Sequence, residues 1–282
     1  MNLTQNVNTL IQQILPAHPL SRLAGKLALC ENQQIKNFLI QKFIKHFNVS
    51  MDEVSDVSLD AYPHFNAFFT RALKQGARPM AGEGHIASPA DGTIFGLGEL
   101  SSNARLEAKG HKFSLAELLG TEEYDQTYKD GEFLTIYLSP RDYHRVHCPM
   151  KGELKQMTFI PGRLFSVNES TTTSIPAVFA RNERVILHFK GEHGPFSMVL
   201  VGAMLVASIE TTFAGVITPV GQLISHWNYH KGAHLKFEQG DEVGRFQYGS
   251  TVITILPSNT RGFAKNLKSE QSIRTGETLG QF

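Results

Sequence analysis

Four side chains of this 282-residue chain are suited to joint acid–base and nucleophilic chemistry: Asp91, His144, His147 and Ser250. A carboxylate can orient an imidazole, the imidazole can deprotonate a hydroxyl, and a neutral imidazole near pH 7 is the side chain best matched to that proton transfer. His144 and His147 lie three apart in YLSPRDYHRVHCPMKG, residues 137–152. Pro140 and Pro149 frame them, which predicts an irregular loop after a strand over 131–138. Asp91 precedes Gly92 in SPADGTI, residues 88–94, a pair that by itself signals a hairpin turn. Ser250 sits in YGSTVITILP, residues 248–257, which alone reads as a turn entering a buried strand. Spacing does not say whether these groups converge. Two histidines three apart are at most half of a metal site, and no second Cys/His cluster with ligand spacing accompanies them, so no metal is expected. The absence of a G-x-S-x-G elbow disfavours an ordinary α/β-hydrolase, and Cys148, beside His147, reads as a small packing residue.

The elements that must position these groups are mostly strands. From about residue 85, β-branched and aromatic runs (131–138, 184–189, 197–220, 250–256) alternate with Gly, Pro and Asp punctuation. The first fifty residues instead carry helical spacing: Val7, Leu10, Ile11 and Ile14, then Leu20, Leu23, Ala24 and Leu27 after a break at Pro16 and Pro19. A third helix, over 34–47, places Ile35, Phe38, Leu39, Phe43 and Phe47 on one broad arc with Lys36, Lys42 and His46 inside it. Lysines there can snorkel to lipid headgroups, or their stems can lie across a packed seam. The expected fold class is α+β, with amphipathic helices over 1–50, a packed connector over 51–84 and a β-rich domain over 85–282.

Composition narrows the function classes. With 41% hydrophobic and 19% charged residues the chain is globular, and a net charge of +1 gives no polyanion footprint, so nucleic acid is not expected as a partner. Residues 1–50 nevertheless hold five basic side chains against one acidic, a local +4. Two cysteines do not make a disulfide framework. The start of the chain lacks the pattern of a signal peptide, and the longest apolar stretch, 198–209, is too short to span a bilayer, so any membrane contact is expected to be peripheral.

In order and approximate spacing, the segments SPADGTI, AKGHKFSL, YLSPRDYHRVHCP, PGRLFSVN, FARNERV, VGAMLVASIETTFAG and GRFQYGSTVI resemble the phosphatidylserine decarboxylase proenzymes. The likeness runs from Phe65 to Leu256, with one departure: Tyr248 stands where the family motif LGST has leucine. The resemblance implies self-cleavage between Gly249 and Ser250. The Ser250 hydroxyl would attack the Gly249 carbonyl, the resulting ester would eliminate, and hydrolysis of the dehydroalanine would leave a pyruvoyl group and ammonia. Products would be a heterodimer of a large chain, 1–249, and a small one, 250–282, with further dimerisation left open.

Carried onto this sequence, the family pattern has Asp91 orient His147, and His147 act as base on Ser250. His144 is the expected proton donor in a decarboxylation that proceeds through a Schiff base between phosphatidylserine and the pyruvoyl group formed from Ser250, with neither pyridoxal phosphate nor metal. Ser166 and Asn168 are weaker candidates for lining the pocket. The substrate implies a peripheral protein on an anionic membrane surface, at the cytoplasmic face of the cell membrane. Two alternatives stay open at this point: an Asp-His-Ser hydrolase using uncleaved Ser250, and a non-enzymatic membrane-binding module.

Overall fold

The computed structural model describes residues 17–100, 105–108, 110–203, 208–217, 223–229, 235–247 and 250–282. The stripe from Val7 to Ile14, together with Tyr248 and Gly249, lies outside them. The fold is α+β. A nine-stranded antiparallel sheet runs in the order Ser225–Asn228, Gly152–Ile160, Arg184–Gly191, Gly194–Val201, Ser250–Leu256, Glu132–Leu138, Gly92–Glu99, Ser272–Ile273, with Lys236–Phe237 also pairing with Gly152–Ile160. A four-stranded sheet carries Gly215–Val216, Ile209–Thr211, Glu242–Phe246 and Arg145–His147. The β-rich runs of the sequence are therefore strands, the long 197–220 run being divided among Gly194–Val201, Ile209–Thr211 and Gly215–Val216.

Strand alternation builds a core on each face of the large sheet. Leu134, Ile136, Met198, Leu200 and Val252 enter one core, whereas Phe133, Val199, Val201, Ile253 and Ile255 enter the other. All seven residues of Ser250–Leu256 are buried, because that strand pairs on both sides, with Glu132–Leu138 and with Gly194–Val201. Its Val252, Ile253, Ile255 and Leu256 together contribute on the order of 6–12 kcal/mol of apolar burial, an upper figure. A chain break just before Ser250 would therefore leave the small fragment bolted into the sheet. Gly92 permits the neighbouring pairing, since any Cβ there would collide with the Tyr137 carbonyl.

The helices form a separate layer. Gln33–Phe47, capped by the Asn32 side chain, packs Ile40 and Phe43 against Phe65, Phe68 and Phe69 of the short helix Phe65–Phe69. Phe43 meets Phe65 and Phe69 edge-on at 5.1 and 5.7 Å between ring centroids. Lys36 does not reach toward headgroups: it is buried, and its Nζ donates to the Leu59 carbonyl at 2.7 Å. The packed-seam alternative holds for that lysine, because the turn Leu59–Ala61 supplies an acceptor 23 residues away. Ala17–Ala28 behaves oppositely to a core-facing helix. It buries Ser21 and Gly25 while Leu23 and Leu27 stand 67% and 49% exposed. No helix among the described residues is long and apolar enough to cross a membrane.

Candidate active site

Two backbone contacts set the site. Ser250 pairs with Leu138, and Phe246 N donates to the His144 carbonyl at 3.0 Å, so Phe246 and Ser250 both lie against the segment that carries His144. The Ser250 side chain is wholly buried, and its Oγ has no hydrogen-bond partner among the described residues. Buried polar atoms are almost always paired, and the hydroxyls of Thr251 and Thr254 on the same strand also lack partners among the described residues, so what sets Ser250 apart is its place at the head of the strand, directly after Gly249 in the sequence.

The His144 ring nitrogen Nε2 likewise has no partner among the described residues. The ring is fully buried and lies 4.2 Å, centroid to centroid, from that of Phe69. Nδ1 can only donate toward the Asp142 carbonyl at 2.9 Å, which makes Nε2 the nitrogen with the lone pair. Burial, reinforced by the Arg71 charge, pushes its pKa down to about 3. It is a neutral acceptor at every physiological pH.

His147 stands in the short strand Arg145–His147, where the sequence reading expected irregular loop. Its Nδ1 donates to the Gly240 carbonyl at 2.7 Å, and its Nε2 accepts from the Tyr143 hydroxyl at 3.1 Å. Burial pushes the Tyr143 pKa up to about 12, so the phenol keeps its proton for that bond. Burial also lowers the His147 pKa, and Glu242, paired with it across the strands, pulls weakly the other way. Arg145 holds Glu242 at 2.9 Å and fixes the Thr70 carbonyl through its Nε, tying this strand to the helical layer.

The expected Asp91 to His147 contact is not formed. Arg78 Nε and Nη2 donate to both Asp91 oxygens, at 2.9 and 2.5 Å, and Thr275 N donates to Oδ1 at 2.8 Å. A bidentate guanidinium binds a carboxylate more strongly than an imidazole N–H does, and Gly240 already accepts from the imidazole. Arg78 and the Thr275 amide keep the carboxyl of Asp91 below its usual range against the opposing effect of burial. Asp91 acts on His147 only through space, by a weak attraction that favours the imidazolium. Nor is His147 hydrogen-bonded to Ser250 in this state, since both of its ring nitrogens are already committed.

Asp91 has a second consequence: it joins sequence-distant parts of the molecule. Arg78 also reaches Glu53 at 2.9 Å, and Arg274 pairs with the same glutamate. Glu53, Arg78 and Asp91 precede residue 249 whereas Arg274 and Thr275 follow it, so this network would clasp the two fragments of a cleaved chain.

Asn168 is exposed, and its side chain accepts from Thr171 N to cap Glu169–Ser174. Ser166 is half-buried, and its loop is fixed at the Ser250 end of the sheet. Asn182, fully buried, bonds both N and O of Phe165 and donates to the Gly202 carbonyl, the residue after the Val201 that pairs with Thr251. Sequence reading missed Asn182, Tyr143, Asp142 and Arg78. Asp142 and Tyr143 sat within the segment quoted for its histidines, whereas Arg78 and Asn182 carried no local signal. Cys148 is a packing residue as expected: it is buried, its thiol donates to the Met150 carbonyl, and burial pushes its pKa up.

An apolar groove of about 310 Å³ lies among the helices, lined by Leu27, Leu39, Phe43 and Phe65 and reaching Asn66 and Gln247. Asn66 Nδ2 donates to Gln247 Oε1 at 3.1 Å, and Gln247 N donates to the Ser208 carbonyl.

Comparisons with known proteins converge on one family. The profile for phosphatidylserine decarboxylase matches residues 65–281, and a second, described as PSD, matches residues 7–48. Proteins named phosphatidylserine decarboxylase proenzyme are similar over nearly the full length. The one from Marinobacter nauticus is 46% identical over 96% of each chain, and the one from Stutzerimonas stutzeri 48% identical over 96% of this chain and 92% of its own. The protein of that name from Pseudomonas aeruginosa strain PAO1 is 48% identical over 95% of this chain and 94% of its own. With a matched profile that spans most of the chain and relatives this similar at this coverage, the chain belongs to the phosphatidylserine decarboxylase family.

Proposed function

We propose that this protein decarboxylates phosphatidylserine to phosphatidylethanolamine after cutting itself between Gly249 and Ser250. The observation that carries the reading is the buried, partnerless Ser250 hydroxyl at the first residue of a doubly paired strand. In the uncut chain no external ester reaches a serine so enclosed, which argues against a hydrolase that uses uncleaved Ser250, whereas the phosphatidylserine amine has to reach residue 250 only after the cut has freed the chain end before it. An attack on the peptide bond immediately before it needs no access from outside. Gly249 suits that attack, because a residue without a side chain leaves its carbonyl open and its backbone permissive.

In maturation, His147 is the base for the Ser250 hydroxyl. Its Nε2 already carries the lone pair, and taking the proton requires exchanging the Tyr143 hydrogen bond. Departure from Ser250 of the acyl group and of the Cα proton, then hydrolysis, would leave a pyruvoyl group at residue 250. The residues beside it fit such a group: His144 Nε2 and Thr251 Oγ1 are buried polar atoms without a partner among the described residues, free to bond to a carbonyl formed at residue 250. When present, the pyruvoyl group supplies a carbonyl that captures the substrate amine and accepts the electron pair left as carbon dioxide departs. His144 Nε2, the nitrogen with the free lone pair, takes the proton that the substrate ammonium must lose and returns it to the carbon that lost carbon dioxide. Asp142, through its main-chain carbonyl, fixes the ring orientation. The Ser166 loop, held by Asn182, lines the same end of the sheet.

Lipid delivery explains the helical layer. A helix that exposes Leu23 and Leu27 while burying Ser21 and Gly25, with Lys26, Lys42 and Lys45 nearby in sequence, suits a peripheral contact with an anionic bilayer. The apolar groove runs from that helix to Gln247, a route for acyl chains. The test is intact mass and turnover together. Wild type should consist of two chains and release carbon dioxide from phosphatidylserine. Ser250→Ala should stay one chain and release none. Turnover by an uncut wild type would overturn the reading.

A further inference from the structure

Arg71 carries a charge that the rest of the molecule leaves unanswered. It is 4% exposed, its Nη2 donates to the Arg141 carbonyl at 3.1 Å, and its guanidinium lies 5.3 Å from the centre of the Phe68 ring. Nε and Nη1 have no hydrogen-bond partner among the described residues. The two nearby carboxylates are engaged elsewhere: Asp142 Oδ2 accepts from Ser139 N and Oγ, and Asp91 holds Arg78 and Thr275 N. Burying a cation with unsatisfied N–H groups is unfavourable, and such a group is retained where a ligand completes it.

Its surroundings say which ligand. Arg71 follows the helix Phe65–Phe69, whose Asn66 lines the apolar groove and whose Phe69 packs on the His144 ring. The guanidinium thus stands at the end of a helix that touches both the apolar groove and the His144 ring, and its charge is felt at His144. We propose that Arg71 binds the phosphodiester of the substrate headgroup, an inference that rests on the decarboxylase reading. The headgroup has a second oxyanion, the carboxylate, but its charge leaves with carbon dioxide. A cation on the carboxylate would stabilise the ground state more than the transition state, whereas the phosphodiester keeps its charge throughout. A phosphodiester on Arg71 also offsets the Arg71 charge, which adds to burial in keeping a proton off His144, so that substrate binding helps Nε2 take up the proton it returns. The new carboxylate of Gly249 after cleavage is the other oxyanion within the molecule's own chemistry, and the experiment separates it.

Arg71→Gln and Arg71→Lys are compared with wild type, maturation being checked by intact mass. With dispersed dihexanoyl phosphatidylserine, Arg71→Gln should raise KM by about 10- to 100-fold, the loss of charge-assisted hydrogen bonds, with a smaller change in kcat. Arg71→Lys should fall between. Dihexanoyl phosphatidylmethanol, which has the phosphodiester but neither amine nor carboxylate, should raise the melting temperature of mature wild type more than uncharged dihexanoylglycerol does. Arg71→Gln should abolish that difference. An unchanged KM in Arg71→Gln overturns the assignment while leaving the decarboxylase reading intact. If in addition the melting temperature of the mature variant alone falls, the anion bound is the Gly249 carboxylate. Should Arg71→Gln fail to fold, the wild-type comparison decides, and equal stabilisation by the two lipids overturns the proposal. A wild type that does not decarboxylate phosphatidylserine refutes the function reading, not this assignment alone.

Discussion

Replacing Asp91 by asparagine separates a clasp from a catalytic relay. The amide keeps the shape, and its oxygen can still accept from Thr275 N, but the negative charge facing Arg78 is lost. Removing one partner of a buried ion pair costs roughly 3–5 kcal/mol; Glu53 remains on the other side of Arg78, so the loss expected here is about 2–3 kcal/mol. For a chain of this size that corresponds to a fall of about 3–5 °C in melting temperature. The measurement is made in a Ser250→Ala background, so that both proteins are single uncut chains. Adding Arg78→Gln to Asp91→Asn should cost much less than the two single effects summed, because the pair is then removed together. Cleavage of Asp91→Asn is followed separately, by intact mass in cell-free synthesis. A through-space effect on His147 at an effective dielectric near 20 amounts to about 1–3 kcal/mol, so self-cleavage should slow by no more than roughly a hundredfold. A relay through a direct carboxylate to imidazole bond would instead cost about 10⁴-fold. Unchanged stability together with a 10⁴-fold loss of cleavage would refute the clasp and restore the relay.

Further outcomes follow from the same geometry. His147→Ala should stay uncut, whereas His144→Ala should mature, at least in part, and decarboxylate poorly; normal maturation of both by intact mass would remove His147 as the processing base. Tyr143→Phe frees His147 Nε2 and removes a donor that holds it neutral, so self-cleavage should be as fast as wild type or faster, and its abolition would place the phenol on the proton path. His144 and His188 are both buried with pKa values near 3 against 6.5 in the unfolded chain, so the unfolded state binds more protons between those values. The uncut Ser250→Ala protein should therefore lose about 1.4 kcal/mol per histidine for each pH unit below 6.5, and His188→Gln should flatten the slope seen in denaturant titrations. Leu23→Ser/Leu27→Ser should keep the wild-type melting temperature yet partition less onto anionic vesicles in co-sedimentation, since both side chains are already exposed. Lys36→Gln should instead destabilise, because its ammonium bonds the Leu59 carbonyl.

Legibility in the sequence followed the range of the interactions concerned. Strands such as Glu132–Leu138 and Ser250–Leu256 were readable because β-branched and aromatic residues fit a pleated surface wherever it lies. The helix Gln33–Phe47 was readable from its 3.6-residue spacing. Contacts between distant residues were not. Lys36 finds its acceptor 23 residues away, Asp91 meets Thr275 across 184 residues, and no local pattern encodes either. The candidate residues were chosen by chemical type and by resemblance, which located His144, His147 and Ser250 in one region but could not assign each hydrogen bond. Arg78 won Asp91 because it offers two parallel donors, a competition visible only in three dimensions. Arg71 closes the stretch FNAFFTR, residues 65–71, yet only its unsatisfied donors, a property of the fold, distinguish it from an ordinary surface arginine.

The central claim, that Ser250 is consumed to make the active carbonyl, is tested most directly by intact-mass spectrometry of the purified wild-type protein before and after borohydride. The account predicts two chains, 1–249 and 250–282, the small one lighter by one ammonia than a serine-initiated chain and gaining two hydrogens on reduction, with activity lost in parallel. A single uncut chain that decarboxylates phosphatidylserine, or a small chain with a free amino-terminal serine in an active preparation, would contradict it.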